Sequence, residues 1–167
     1  MKYTKKWVAV ANDNNTLRYS FIVDEKPIGT MDSILKSLSK KKAISKIFEK
    51  TFYLIHPGSW KGGFVIRDEK DDIILEALLE KWYTDTLILK YKDKDLRLKC
   101  RNNSTAECVI FDDELEILRY GLDIQSDNIK IKIGPEDAND YLLDYVLWYL
   151  FSGIALETTG GNFVFTY

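Results

Sequence analysis

Residues that could carry out chemistry are few in this chain, and they lie far apart. Its single histidine, His56, is followed by Pro57 and Gly58. A histidine can act as a general base, but no serine or cysteine nucleophile motif accompanies this one, so we interpret it as a polar residue at a strand end. One histidine together with the separated Cys100 and Cys108 falls short of the four ligands that structural zinc usually takes. We therefore predict no metal site.

Two acidic clusters and a glycine-rich segment have simpler interpretations than catalysis. The clusters at residues 68–72 and 112–114 lack the loop glycine and terminal glutamate of an EF-hand, so they are interpreted as solvated turns. Residues 58–63 lack the Gly-Lys-Ser/Thr ending of a phosphate loop, which favours a flexible hairpin loop. We predict no catalytic residue and no cofactor. An enzyme that uses His56 or a carboxylate pair stays as an alternative, because such pairs arise easily among 26 acidic residues.

A dense run of lysines is the feature that most suggests binding. It comprises Lys36, Lys40, Lys41, Lys42 and Lys46, in a chain whose formal net charge is −2. Lysines near an anionic membrane contribute about 1 kcal/mol each. The run therefore predicts an anionic membrane surface or an acidic protein as partner, with a solvated face as the alternative. Because the net charge provides no field that would attract nucleic acid, we expect no such partner.

The length and composition predict one domain over residues 1–167, and the lack of targeting and membrane-spanning signals predicts a cytoplasmic location. Hydrophobic residues make up 46% and charged residues 30%, which are ordinary globular values. No apolar region of a signal peptide follows the basic N-terminus. The longest apolar stretch, residues 145–151, is shorter than the roughly 18 residues that cross a bilayer. The spacing of Cys100 and Cys108 allows a disulfide, but a reduced pair is favoured because disulfides are rare in the cytosol.

Alternation of apolar and polar residues recurs along most of the chain. Leu87, Leu89 and Tyr91 share one face, and similar triplets follow at 96–100 and 129–133. This period of two is typical of antiparallel strands with one buried face. Asn- and Asp-rich turns separate the candidate strands. About eleven short strands, including one at 163–167, predict a barrel or a sandwich.

Two segments depart from this alternation. Residues 31–50 place Ile34, Leu35 and Leu38 near one helical face, between many lysines, and predict a basic helical segment. Residues 136–156 predict a second helix, which follows Pro135 and has acids in its first turn. Its stretch 145–151 is apolar around the whole helical circumference.

The second helix decides the predicted architecture. A helix that lies on one sheet has a polar back, whereas a helix that is apolar all round must be surrounded. Since it is too short to span a membrane, protein must surround it. An antiparallel barrel of about 11–12 strands closed around this helix would bury both the inner faces of the strands and the helix, and would leave few open edges.

This plan resembles that of the tubby C-terminal-like superfamily, which includes the tubby domain, the plant LURP-one-related proteins, the phospholipid scramblases and small bacterial members. The run Asp-Tyr-Leu-Leu-Asp-Tyr-Val-Leu-Trp-Tyr-Leu-Phe at 140–151 is similar to the central helix of that group. Residues 64–69 and 109–113 are similar to its strand–acidic turn–strand units. The basic segment at 31–50 matches no element of the family.

The resemblance implies a non-enzymatic binding module for anionic lipid headgroups. Two alternatives stay open. One is a protein-interaction module, and the other is an enzyme that uses His56 or a carboxylate pair. Lysines clustered on one face would favour the lipid module, and a flat apolar patch would favour the protein-interaction module. A deep cleft that holds His56 with acids would favour the enzyme.

Overall fold

The computed structural model describes residues 4–12, 16–34, 41–56, 63–81, 86–101, 106–125, 128–135 and 137–159. These residues form twelve strands and one helix. The strands are β1 (Lys5–Asn12), β2 (Thr16–Val23), β3 (Lys26–Ile34), β4 (Lys41–Ile47), β5 (Lys50–Ile55), β6 (Phe64–Arg67), β7 (Ile73–Leu79), β8 (Thr86–Tyr91), β9 (Lys94–Arg101), β10 (Glu107–Asp112), β11 (Leu115–Gln125) and β12 (Asn128–Gly134), and the helix is α1 (Tyr141–Thr159).

Each strand pairs antiparallel with the next one along the chain, in the order β1 to β12. Tight turns make this possible, because residues such as Asp24, Glu25, Lys92 and Asp93 adopt the left-handed φ that two-residue hairpins need. No backbone ladder between β1 and β12 occurs in the described ranges. The result is a nearly closed antiparallel barrel with one C-terminal helix, as the sequence predicted.

The inner face of the barrel and α1 form one apolar core. The predicted alternation is confirmed, since Leu87, Leu89 and Tyr91 are all buried, and Leu96 and Leu98 are as well. On α1, every side chain from residue 142 to residue 148 is buried. The prediction of a helix that is covered on all sides is therefore confirmed for residues 142–148, whereas Tyr149 and Leu150 are half-buried.

The helix begins later than predicted, at Tyr141 instead of Glu136 or Asp137. β12 ends at Gly134, and the described residues of the connection to the helix, 135 and 137–140, are not helical. Asp140 ends this connection, and its carboxylate is held from the side by Tyr91 and Lys92. Such a bridge to the β8–β9 turn fixes the point at which the helix starts.

The predicted basic helix at residues 31–50 is wrong. Parts of it form β3 and β4, which pair with each other so that Met31 lies opposite Ser45. Residues 35–40 lie outside the described residues. In β4, Ala43, Ser45 and Ile47 face the core, whereas Lys42 and Lys46 face outward. The spacing of the lysines is locally compatible with both a helix and a strand. β3 and β5 pair with β4 through backbone hydrogen bonds, and this tertiary context makes the segment a strand.

Cys100 and Cys108 form a disulfide, so the expectation of a reduced pair is wrong. The two residues pair directly opposite each other on β9 and β10, with Cα atoms 4.1 Å apart. The bond thus joins neighbouring strands across one rung of the ladder. Within the described part of the chain, no helix combines the length and the apolar character that a membrane span requires.

Gly29 permits α1 to approach the wall where β3 meets β4. A Cβ atom at this position would lie 1.8 Å from the carbonyl oxygen of Lys46 and 2.7 Å from the hydroxyl of Tyr145. The Tyr145 hydroxyl donates to that same Lys46 oxygen at 2.8 Å. The absent side chain therefore leaves room for a hydrogen bond that ties the helix to β4.

Candidate functional site

A groove opens at the end of the barrel where α1 begins. Its volume is about 860 Å³, within the range of sites that bind single small molecules. Four parts of the chain form it: the β4–β5 hairpin, the start of β7, the β8–β9 turn and the connection into α1. The lining residues are Ile47, Phe48, Glu49, Lys50, Phe52, Ile74, Tyr91, Lys92, Asn139, Asp140, Tyr141 and Leu142.

The floor of the groove is apolar. Ile47 and Phe52 alternate inward along the β4–β5 hairpin, and Leu142 approaches them from the first turn of α1. Phe48 stands at the rim with 66% of its surface exposed, and its ring centroid is 6.3 Å from that of Tyr141. Its backbone has a φ of 54°, which is unusual for a bulky residue. The turn thus holds an aromatic ring beside the opening.

A cluster of Tyr91, Asp140 and Lys92 occupies one side of the rim, and we call it the rim cluster. The carboxylate of Asp140 accepts from the Tyr91 hydroxyl at 2.9 Å and from the Lys92 ammonium at 3.0 Å. Burial, followed by the charge of Asp140, raises the pKa of Tyr91 to about 12. The hydrogen bond to Asp140 raises the pKa of Lys92. At neutral pH the phenol therefore keeps its proton, and the lysine keeps its charge.

Lys50 provides a second cation among the lining residues of the groove. It pairs with Ile47 across the hairpin and lies on the same side of β5 as the inward-facing Phe52. Among the described residues, no acid lies within ion-pair distance of its ammonium group. The positive end of the α1 dipole also points toward this end of the barrel. Two acids, Glu49 and Asp140, also line the groove, so its side chains carry no excess positive charge, but Lys50 is a cation without an acidic partner among the described residues.

A second cluster of the same residue types lies inside the barrel, at Asp144, four residues further along the chain, and we call it the core cluster. Lys5 is 2% exposed and Asp144 is 0% exposed, and their charged groups are 2.9 Å apart. Tyr120 donates to the Asp144 carboxylate at 2.8 Å, and the indole of Trp7 donates to the Tyr120 hydroxyl at 2.9 Å. The network joins β1, β11 and α1 beside the unpaired strand edges.

Desolvation dominates the electrostatics of the core cluster. Burial raises the pKa of Asp144 to about 6, although Lys5 and the hydroxyl of Tyr120 act in the opposite direction. Burial and the charge of Asp144 also raise the pKa of Tyr120. Sequence reasoning missed this cluster. A signal was present, because Asp144 is the only charge in the apolar part of the helix and a buried carboxylate requires a partner.

The predicted lysine site is separate from the groove. Lys42 and Lys46 lie on the outer face of β4, where Lys46 is exposed and Lys42 is half-buried. Lys41 belongs to the same strand, and Lys36 and Lys40 lie outside the described residues. Neither Lys42 nor Lys46 lines the groove. Whether they bind an anionic surface stays a prediction.

His56 lies after β5, at the other end of that strand from Lys50, and it does not line the groove. Its Nε2 atom is 3.1 Å from the Tyr149 hydroxyl, and its ring is close to that of Phe64. Burial, and then the charge of Lys42, lower the pKa of His56. Within the described ranges no carboxylate is hydrogen-bonded to it, and no cluster of three or more His, Cys, Asp or Glu residues could hold a metal ion.

A scan of the chain against protein-family models finds no match, and searches against curated proteins and against solved structures find none either.

Proposed function

We propose that the chain is a non-enzymatic binding module for an anionic amphiphile that lies in the groove. The observation that carries this proposal is the combination of an apolar floor of a ligand-sized cavity with Lys50, a cation at its rim that has no acidic partner in the described residues. A carboxylate or phosphate head would take up the position beside Lys50. The apolar part of the ligand would lie on Phe52 and Leu142.

Energetic considerations favour an amphiphile over a compact anion. A single lysine at an exposed rim attracts a free anion weakly, since ion pairs in water contribute about 0–1 kcal/mol. Burial of apolar surface contributes roughly 25 cal/mol per Å² and grows with the size of the ligand. The floor of the groove would therefore supply most of the affinity, while Lys50 and the start of α1 would orient the head.

We also propose membership of the tubby-like superfamily and a role at lipid surfaces. What supports this proposal is the twelve-stranded barrel with an apolar helix near its C-terminus. A cytoplasmic location belongs to the same proposal. The disulfide between Cys100 and Cys108 argues against that location, because disulfides persist mainly in oxidising compartments.

The test is the binding of dodecanoate, measured by calorimetry below its critical micelle concentration. We expect Lys50→Gln to weaken binding by up to about fivefold, because an exposed ion pair contributes at most about 1 kcal/mol. Lys46→Gln is the matched control, because Lys46 lies close by in the chain but projects from the outer face of β4. It should leave the affinity unchanged.

Absence of dodecanoate binding by the native protein would contradict the proposal. An equal loss in both variants would also contradict it, since this would assign the attraction to charge in general. If only Lys46→Gln lost affinity for dodecanoate, the binding site would instead lie on the outer face of β4, within the predicted lysine run.

A further inference from the structure

The space between β1 and β12, which we call the seam, is covered along only part of its length. Among the described residues, no backbone ladder joins these two strands. Near the start of β1, side chains cover the seam, because Lys5 and Trp7 are buried and the Trp7 indole donates to the Tyr120 hydroxyl on β11 at 2.9 Å. Further along β1, Val8 is 37% and Val10 is 58% exposed. The second half of β1 is thus an exposed, apolar strand edge.

The exposure of Ala9 shows that the barrel interior is uncovered beside this part of β1. Ala9 is two residues beyond Trp7, so the alternation of a strand places it on the inner face together with Trp7. It pairs with Tyr19 of β2, which is only 5% exposed. Ala9 is nevertheless exposed, since β2 covers it on one side and no described strand pairs with β1 on the other. Native proteins usually cover or protect such an open edge.

The helix α1 carries the chain toward this open part of the seam. β1 and α1 run in the same direction, because Lys5 contacts Asp144 near their beginnings and Trp7 stacks on Trp148 further along, with ring centroids 5.2 Å apart. From Trp148 the helix continues to Thr159. A segment that leaves the helix there and folds back would run antiparallel to β1, and it would meet the exposed end of that strand first.

The segment that follows the helix has the sequence of a strand. Residues 160–167 lie outside the described residues and read Gly-Gly-Asn-Phe-Val-Phe-Thr-Tyr, without a charged residue. The two glycines suit a reversal of direction. The aromatic and β-branched residues after them favour a strand with Phe163, Phe165 and Tyr167 on one face. Six extended residues span about 20 Å, which is enough to reach from Asn12 back to Val8.

We propose that residues 162–167 bind to the open part of β1 as an antiparallel strand and cover the barrel interior beside Ala9 with their three aromatic side chains. Residues 7–11 of β1 are uncharged, as this segment is. A segment of the same chain is favoured over a separate partner, because its tether gives it a high effective concentration at the edge. No described residue of β1 or β12 lines the groove, so this proposal does not depend on the ligand proposed above.

Hydrogen exchange measured by NMR tests the proposal on the full chain and on a chain that ends at Gly161. The amide protons of residues 8–11 that do not bond to β2 should exchange about tenfold faster, or more, once the segment is removed. The amide protons of β8, which has a strand on both sides, should keep their rates. Equal exchange at residues 8–11 in the two chains would overturn the proposal.

Two variants with the same substitution separate the two faces of the segment. Phe165→Asp would place a charge inside the barrel, so it should accelerate exchange at residues 8–11 as much as the truncation does. Thr166→Asp would place the charge on the outer face, and it should leave the exchange unchanged. Equal effects of the two variants would overturn the inward placement of the aromatic side chains.

A measurement on the full chain keeps the proposal testable if the shortened chain does not fold. A nitroxide attached to Tyr167→Cys should broaden the NMR signals of the Val8 methyl groups, and Cys100 and Cys108 do not take the label because they form a disulfide. Absence of this broadening would overturn the proposal. In a mixture of isotope-labelled protein without nitroxide and unlabelled protein with it, the Val8 signals should stay sharp. Broadening in the mixture would overturn the proposal in favour of a segment from a second copy of the chain.

Discussion

Two clusters of the same chemistry lie four residues apart in sequence, one at Asp140 just before α1 and one at Asp144 within it, and they differ in access to water. They are Lys5, Asp144 and Tyr120 in the core cluster, and Lys92, Asp140 and Tyr91 in the rim cluster. In each, a tyrosine and a lysine donate to one aspartate. The charged side chains of the core cluster are at most 2% exposed, whereas Lys92 is 70% and Asp140 is 31% exposed.

This difference in burial separates a structural role from a role in recognition. In the core cluster, removal of both charges from water costs several kcal/mol per ion, and only close contact offsets that cost. The raised pKa of Asp144 indicates that Lys5 offsets it in part. In the rim cluster, water screens the same contact, so that it contributes at most about 1 kcal/mol. A weak, accessible ion pair can exchange partners with a ligand, and a buried one cannot.

The largest expected effect is that of removing the lysine from the core cluster. Lys5→Met leaves the Asp144 carboxylate buried without its counter-charge, which should lower the free energy of unfolding by about 3–5 kcal/mol at neutral pH. Chemical denaturation followed by tryptophan fluorescence measures this quantity. The double variant Lys5→Met/Asp144→Leu should recover most of the loss, because two apolar side chains replace the pair.

Lys6→Met is the control for the core cluster. Lys6 is the next residue of β1, and its ammonium group contacts Glu25, which is exposed. The change should alter stability by no more than about 1 kcal/mol. If Lys5→Met and Lys6→Met had equal effects, burial would not distinguish the two environments, and the comparison of the clusters would fail.

The second effect concerns pH and should amount to roughly 3 kcal/mol. Burial raises the pKa of Asp144 from 3.8 to about 6, so between these values the folded protein binds more protons than the unfolded chain. The stabilisation from this group is full below pH 3.8 and is lost as the pH rises through 6. The stability of the native protein relative to Asp144→Asn should therefore decrease from pH 4 to pH 7. If the stability difference between the native protein and Asp144→Asn stayed constant from pH 4 to pH 7, the raised pKa of Asp144 would be contradicted.

The architecture could be predicted because it depends on patterns that are local in sequence. The alternation in β8 and β9 and the apolar circumference of α1 each specify a buried face without knowledge of the partner. Residues 31–50 show the limit of this reasoning. Their spacing suits a helix, and only the neighbouring strands β3 and β5 make β4 a strand. The strand predicted at 163–167 lies outside the described residues.

The groove could not be predicted, because its parts come from four distant places in the chain. Phe52, Ile74, Tyr91 and Asp140 form no local motif, and the barrel closure that brings them together is a property of the whole sheet. The run of lysines was predicted as a binding site because its members lie close together in sequence. Lys50 is less conspicuous there, yet its position on the inner side of β5 makes it part of the groove.

The smallest effect on stability, and the one that sharpens the comparison most, is expected for Asp140→Asn in the rim cluster. The amide oxygen of asparagine can still accept from the Tyr91 hydroxyl, and the lost ion pair with Lys92 is exposed, so the free energy of unfolding should fall by less than about 1 kcal/mol. The affinity for dodecanoate, by contrast, should increase. Removal of the carboxylate frees Lys92 and takes a repelling charge from the groove, so binding should tighten by a few-fold. Calorimetry and denaturation on the same sample measure both quantities. Weaker binding would show that Asp140 supports the ligand, and the rim cluster would then be as structural as the core cluster.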